Sequence, residues 1–381
     1  MVGFSVKSTI LALFGSKLTS SSLRTKGPAV LWFFSLIFVQ LTQIGLTKRQ
    51  GDATIIEESD PNSRFICKGQ LGDFAACTCI DSTNEISCIN AQFVDADVFL
   101  HLNGHYKTIN KITFHGNNFQ DLPDRPLFGE VEHNSLHVLN LSANYIVNLN
   151  SHALQGMPNI RVLDLSNNEI VLRPQDTDFL SHTPLITHLY LRRSFTSSVN
   201  RTRQFELLMR LFNNANLVNL QYLDLSYNFL TSVPYSLACP FPSLSGLDLS
   251  QNLFQTISMN TSCLQGIDAV DLSRNHFREL DENFRRNFAN YLPAESLILR
   301  NSFHCDCHSA EYIQWIRSTN SIREKNLLTC ARASPANFRG ARLVEVPLHK
   351  LDCSVKLTSN RGSGLNIFFI LPLIIAKFLF F

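Results

Sequence analysis

The sequence predicts an α/β repeat solenoid with a cysteine-rich cap at each end, and three observations lead to that class. A motif with apolar residues at positions one, four and six and asparagine at nine returns about every two dozen residues from Ile109 to Asn301. Four of the ten cysteines precede this array, four follow it and two lie inside it. Charged residues make up only 17% of the 381 and hydrophobic ones 45%, which excludes a mainly disordered chain. With 33 basic and 31 acidic residues the formal charge is +2, so there is no electrostatic footprint for a nucleic acid.

The N-terminal segment carries Lys7, Lys17, Arg24 and Lys26 without an acid, followed by the apolar run Ala29 to Leu41. This is the n-region and h-region order of a secretory signal. Gly45 and Thr47 supply the small residues a signal peptidase accepts, so 1–47 is expected to be a signal peptide, cut before Lys48, and 48–64 a linker. At the other end, 354–364 is a polar spacer with Ser359, Gly362, Ser363 and Gly364, and 365–381 is a hydrophobic membrane-anchor signal. Small residues, a spacer and an apolar tail form the pattern of a GPI-attachment signal; a single short span is the alternative. The expected location is the extracellular face of the plasma membrane.

The motif reads Ile109/Ile112/Phe114/Asn117, Leu136/Leu139/Leu141/Asn144 and Ile160/Leu163/Leu165/Asn168. A degenerate copy, Ile186/Leu189/Leu191 with Ser194 in the asparagine slot, precedes Leu220/Leu223/Leu225/Asn228, Leu244/Leu247/Leu249/Asn252 and Ile267/Val270/Leu272/Asn275. A half-copy runs from Ile298 to Asn301. This is a leucine-rich-repeat array, and the expected fold is a leucine-rich-repeat horseshoe over 101–300. Each coil places a short strand on the concave wall with alternate apolar side chains in a shared core. Each asparagine turns inward to satisfy backbone groups of the turn leaving the strand. Between Ser194 and Asn228 the interval widens to 34 residues, so 195–219 is read as an insertion. Its segment from Gln204 to Leu217 has apolar residues at helical spacing and predicts a short helix on the convex side.

An open solenoid exposes the core of its terminal coils, so caps are expected at 65–100 and 301–353. Cys67, Cys77, Cys79 and Cys88 lie in the first, and Cys305, Cys307, Cys330 and Cys353 in the second. The neighbours in each C-x-C are badly placed to pair with one another, and each set of four allows three arrangements. Cys239 and Cys263 each follow their repeat's asparagine by eleven residues, so they share a phase on adjacent coils and are expected to be bonded. Closing that loop is worth about 3 kcal/mol in the chain-entropy model. The run His304 to His308 is dense in zinc-ligand types, but disulfides would consume its cysteines in an oxidising compartment. No metal, cofactor or enzymatic activity is expected, since no nucleophile elbow, phosphate loop or metalloprotease helix occurs.

Side chains at the non-core strand positions project from the concave wall. In the middle coils these readings select Arg161, His188, Tyr190, Arg192, Arg193, Tyr222 and Tyr227 as the partner-binding patch, because arginine and tyrosine are enriched in interface hot spots. Asp224, Asp248, Asp268 and Asp271 follow, so the wall is expected to be basic in the middle and acidic toward the C-terminus. Three sequons give glycosylation candidates at Asn140, Asn200 and Asn260. Asn140 lies between two core leucines, so a glycan there would stand on the concave face and obstruct the first two coils.

In the C-terminal cap, Cys305-Asp306-Cys307-His308, Ala310, Trp315, Leu328-Thr329-Cys330-Ala331 and Leu351-Asp352-Cys353 resemble the cap of the trophoblast glycoprotein family. Asn200-Arg201-Thr202 with Phe205-Glu206 resembles the insertion interrupting that family's repeats. The resemblance implies pairing of Cys67 with Cys79, Cys77 with Cys88, Cys305 with Cys330, and Cys307 with Cys353. It also implies a non-enzymatic cell-surface glycoprotein that dampens β-catenin-dependent Wnt signalling by contacting an extracellular or membrane protein, a Wnt pathway component. The wide gap between Cys67 and Cys77 and the Cys239/Cys263 pair depart from the family pattern. An adhesion or guidance receptor of the Nogo-receptor type is the second reading.

Overall fold

The computed structural model describes residues 70–71, 74–75, 77–102, 108–196 and 201–353. The expected signal peptide, linker, spacer and hydrophobic tail lie outside these residues, as do Cys67 and Asn200. Strands β1 (Gln70–Leu71) and β2 (Phe74–Ala75) form a small antiparallel pair. The hairpin of β3 (Thr78–Ile80) and β4 (Glu85–Ile89) then opens a ten-stranded sheet. From β4 onward neighbouring strands are parallel: β5 (Lys111–His115), β6 (Val138–Asn140), β7 (Val162–Asp164), β8 (His188–Tyr190), β9 (Tyr222–Asp224), β10 (Gly246–Asp248), β11 (Ala269–Asp271) and β12 (Leu297–Ile298). The array is a leucine-rich-repeat solenoid with disulfides at both ends.

The short strands follow from the motif. In β6, β7 and β8 one fully buried leucine separates two partly exposed residues. Leu139, Leu163, Leu189, Leu223 and Leu247 lie in register along the core, so a one-residue slip would turn every leucine out to solvent. Phenylalanines fill the first coils: the ring of Phe99 lies 4.5 Å from that of Phe114 and 5.7 Å from that of Phe128. The last copy takes its phase from buried Leu297 and Leu299. Ile298 faces the concave side, half-buried, opposite Asp271.

The motif asparagines form a continuous ladder under the turns. Asn144, Asn168, Asn228, Asn252 and Asn275 each donate from Nδ2 to the carbonyl of the last strand leucine, or Phe114, of the preceding coil. Oδ1 of Asn168 accepts from the N–H groups of Asn144 and Ile146, and Oδ1 of Asn252 from those of Asn228 and Leu230. One side chain therefore satisfies polar groups of two coils. Ser194 keeps only half of this role. Its Oγ donates to Leu165 O at 2.8 Å, but the Ile170 N–H bonds the backbone carbonyl of Ser194 at 2.7 Å, because a hydroxyl lacks the amide's reach.

The insertion contains α1 (Arg201–Ala215), which begins before the expected segment. Leu207, Leu208, Leu211 and Phe212 are buried, with Phe212 edge-on to Phe241 at 5.0 Å. The Gln204 amide bonds both Leu172 N and Leu172 O, at 2.8 and 3.0 Å, and Asn214 donates to Asp178 at 2.8 Å. These bonds fasten the helix to the coil of Leu172 and the following short 3-10 turn.

In the C-terminal cap, β13 (Phe303–Cys305) pairs in parallel with β14 (Cys330–Ala333), and α2 (Ala310–Ser318) buries Tyr312, Ile313 and Ile316. The Asp306 carboxylate accepts the His308 N–H at 2.9 Å and starts the turn before α2. Disulfides join Cys305 to Cys330 and Cys307 to Cys353, with Cα atoms 5.7 and 5.0 Å apart. In the N-terminal cap Cys77 is joined to Cys88 across 4.2 Å, and Cys79 is disulfide-bonded. Cys239 and Cys263 are joined on adjacent coils with Cα atoms 4.9 Å apart.

Candidate protein-binding face

The concave sheet builds the candidate site by strand register. His188 in β8 stands opposite Tyr222 in β9, which stands opposite Gly246 in β10. One row along, Tyr190 stands between Asp164 and Asp224. The rings converge: Tyr190 and Tyr222 are 5.6 Å apart, His188 and Tyr222 6.1 Å, and His188 and Tyr190 6.4 Å. Such spacings are those of mutually supporting aromatic pairs.

Gly246 sets the position of Tyr222. A Cβ built on Gly246 would lie 2.6 Å from Cδ2 of Tyr222, so the ring occupies the space a side chain would take. Aspartates surround the phenols. Burial chiefly, then Asp248 and Asp224, push the Tyr222 phenol well above its ordinary pKa. Burial, Asp164 and Asp224 do the same for Tyr190. Both hydroxyls thus remain neutral donors at physiological pH. Burial also raises the Asp248 carboxyl, against the opposing bonds from Ser250.

The other patch residues occupy different places. Arg161 precedes β7, whereas Arg192, Arg193 and Tyr227 lie in the turns leaving β8 and β9, so these four are outside the strands. Arg192 lies over the Tyr227 ring at 4.3 Å, a cation–π pair. Arg193 and Tyr227 adopt φ of 48° and 61°. The strands themselves present aromatic rings among aspartates, and the arginines of the patch flank them in sequence. Arg192 and Arg193 follow Leu191 directly, where strand alternation gives way to the turn. Gly246 went unnoticed. The detectable signal was a glycine in the register slot beside a tyrosine, since a close approach is what glycine permits.

Gly246→Val is expected to drive the Tyr222 ring from its place while leaving the solenoid folded, because the position is on a concave strand. A changed tyrosine near-ultraviolet dichroism with unchanged far-ultraviolet dichroism would show this; an unaltered near-ultraviolet spectrum would refute it.

Asn140 occupies the slot that Asp164 occupies on β7. Its Oδ1 accepts from Ser142 N and Oγ, at 2.9 and 2.6 Å, and its Nδ2 donates to Asp164 at 3.2 Å. A glycan on that nitrogen would leave it a single N–H for Asp164. Asn260 caps the 3-10 turn Thr261–Leu264 through Oδ1. Near the cap's end, ligand atoms of Cys307, His308 and Cys353 lie within 4.8 Å of one another. Both sulfurs are in one disulfide, so they are not thiolate ligands.

Residues 107–170 and 134–194 match the family described as leucine rich repeat, and 219–239 match a second leucine-rich-repeat description. These spans coincide with the coils of β5 to β9. These coils carry leucine-rich repeats, and the fold is the leucine-rich-repeat solenoid. Among leucine-rich-repeat relatives the chain is similar to trophoblast glycoprotein of Macaca fascicularis, 25% identical over 315 residues, covering 80% of this chain and 73% of the relative. Trophoblast glycoprotein of Mus musculus is 24% identical over 325 residues, covering 80% and 74%. The crystal structure of human 5T4 (Wnt-activated inhibitory factor 1, trophoblast glycoprotein) superposes with a TM-score of 0.59 at 23% identity, covering 74% of this chain and 99% of that one. Among the described residues no helix is long and apolar enough to cross a membrane.

Proposed function

We propose that this is a cell-surface glycoprotein, anchored through its C-terminal tail, that binds an extracellular protein on the concave face of β8 and β9 and thereby dampens Wnt/β-catenin signalling. The observation that carries the binding site is the converging set His188, Tyr190 and Tyr222, with the Tyr222 ring seated against Gly246. Tyrosines offer large contact area at small entropic cost, together with a hydroxyl donor. Asp224, Asp248 and Asp271 continue the second row, so a partner bearing an apolar anchor beside cations is the complementary one. The Wnt part of the reading is supported by the likeness to trophoblast glycoprotein, whose human form carries the name Wnt-activated inhibitory factor 1.

The test is a β-catenin reporter in cells displaying the full chain or its Tyr190→Ala/Tyr222→Ala variant at matched surface level. The full chain is expected to lower the reporter. The variant should lose the effect, since truncating a hot-spot tyrosine costs about 2 kcal/mol or more, over tenfold in affinity. Release by phosphatidylinositol-specific phospholipase C should restore the reporter as well. A reporter indifferent to the full chain would reject the Wnt reading, and loss of cell–cell binding in the variant would then favour an adhesion receptor.

A further inference from the structure

A second candidate site lies away from the aromatic face, where the last repeat meets the C-terminal cap. The segment 274–278 leaves the turn after β11, with Asn275 and Phe277 buried and Arg274, His276 and Arg278 exposed. It runs beside β13, whose His304 N–H donates to Arg278 O at 2.7 Å, and β13 in turn pairs His304 with Arg332 of β14. This segment, β13 and β14 thus lie side by side as the floor of an open groove, and Arg339 joins Arg278 and Arg332 in lining it. Strand spacing makes this floor about 10 Å wide.

The charges in this groove are unbalanced. Nearby arginines are paired: Arg285 with Glu311, Arg300 with Glu324, Arg342 with Glu345. Among the described residues, Arg278, Arg332 and Arg339 have no ion pair and no side-chain hydrogen bond. The carboxylates that act on His304 are Asp306 and Glu279, and Asp306 is occupied in capping the turn before α2. The field registers on His304 itself, whose pKa is lowered by burial and then by Arg332 and Arg278, against the opposing pull of Asp306 and Glu279. Three exposed guanidiniums without a carboxylate partner line one groove and present a positive surface to an anion, and the planar fork suits an oxyanion with two accepting oxygens.

The groove is open and polar-lined, so it suits a linear polymer rather than a buried small molecule. The disulfides place the protein in an oxidising, extracellular-type compartment, where the abundant linear polyanions are sulfated. We propose that this groove binds a sulfated polysaccharide chain, with Arg278, Arg332 and Arg339 engaging its sulfate groups.

The test displays the full chain on cells whose own sulfation is blocked and titrates a fluorescent heparin oligosaccharide of defined length. Arg278→Ser/Arg332→Ser/Arg339→Ser is expected to weaken binding about tenfold or more and to lower the salt dependence of log affinity by about two to three. Arg125→Ser/Arg210→Ser/Arg286→Ser removes the same charge elsewhere and should leave binding within about twofold. The groove triple to lysine keeps charge without the fork, and binding between those of the wild type and the serine triple supports the site even if the serine variant reaches the surface poorly. Equal losses in the two serine triples would overturn the proposal, as would undiminished binding of a desulfated oligosaccharide. Competition by inorganic sulfate at the same sulfate concentration would also overturn it, by reducing the groove to an isolated ion site.

Discussion

Asn252→Ala is expected to destabilise the protein by about 3–5 kcal/mol, because it strands buried backbone groups in two coils at once. Asn252 is 2% exposed. Its Nδ2 donates to Leu225 O and Leu249 O at 3.1 and 3.0 Å, and its Oδ1 accepts from Asn228 N at 2.9 Å and Leu230 N at 3.0 Å. Alanine offers neither donor nor acceptor, and the coil spacing leaves the freed N–H groups no route to water. Ser194→Ala should cost only about 1–2 kcal/mol, since its hydroxyl donates to Leu165 O while the Ile170 N–H is already met by a backbone carbonyl. Denaturant midpoints of the two variants would decide the matter. Equal losses would mean that the acceptor half of the asparagine contributes nothing.

The same comparison explains what the sequence revealed. The strands and coils could be read directly because a buried leucine at the centre of each strand and an asparagine at each turn are local requirements repeated at nearly constant spacing. Register then follows, since Leu163 can lie beside Leu139 only if every intervening residue is accommodated in the loop. The last copy escaped that logic. Its turn is one residue shorter, so Asn301 still reaches Leu272 O at 3.0 Å while Leu297 and Leu299, rather than Ile298, supply the core.

The candidate face was legible by residue type and not by arrangement. Which residues a strand turns outward is set by alternation, so His188, Tyr190 and Tyr222 could be placed on one wall. Whether their rings meet depends on the side chain one strand further on, and Gly246 is 24 residues from Tyr222 in sequence. Arg193 is less legible for a different reason: the turn after β8 is left-handed there, and alternation does not continue through such a turn.

Removing the bond between Cys239 and Cys263 with a double serine substitution is expected to cost about 3 kcal/mol, the loop-closure value for a sequence separation of 24. Both cysteines lie in equivalent turns, with Cys239 N–H bonded to Ser236 O and Cys263 N–H to Asn260 O. The bond therefore joins the coil of β9 to the coil of β10 on the side away from the sheet. Asn252 fastens these same two coils beneath the turns that leave β9 and β10. A solenoid is held by the interfaces between neighbouring coils, so one interface here has a hydrogen-bonded clasp on one side and a covalent one on the other. The two losses should consequently be coupled: once the disulfide is gone, the coils are freer to separate and admit water to the groups that Asn252 satisfies. Asn252→Ala should then cost less in the double-serine background than in the wild type, by about 0.5–3 kcal/mol. A four-variant denaturation cycle measures this. Strict additivity would show that the two clasps act on independent elements, and an unchanged midpoint in the double-serine variant would show that the covalent one adds nothing to stability.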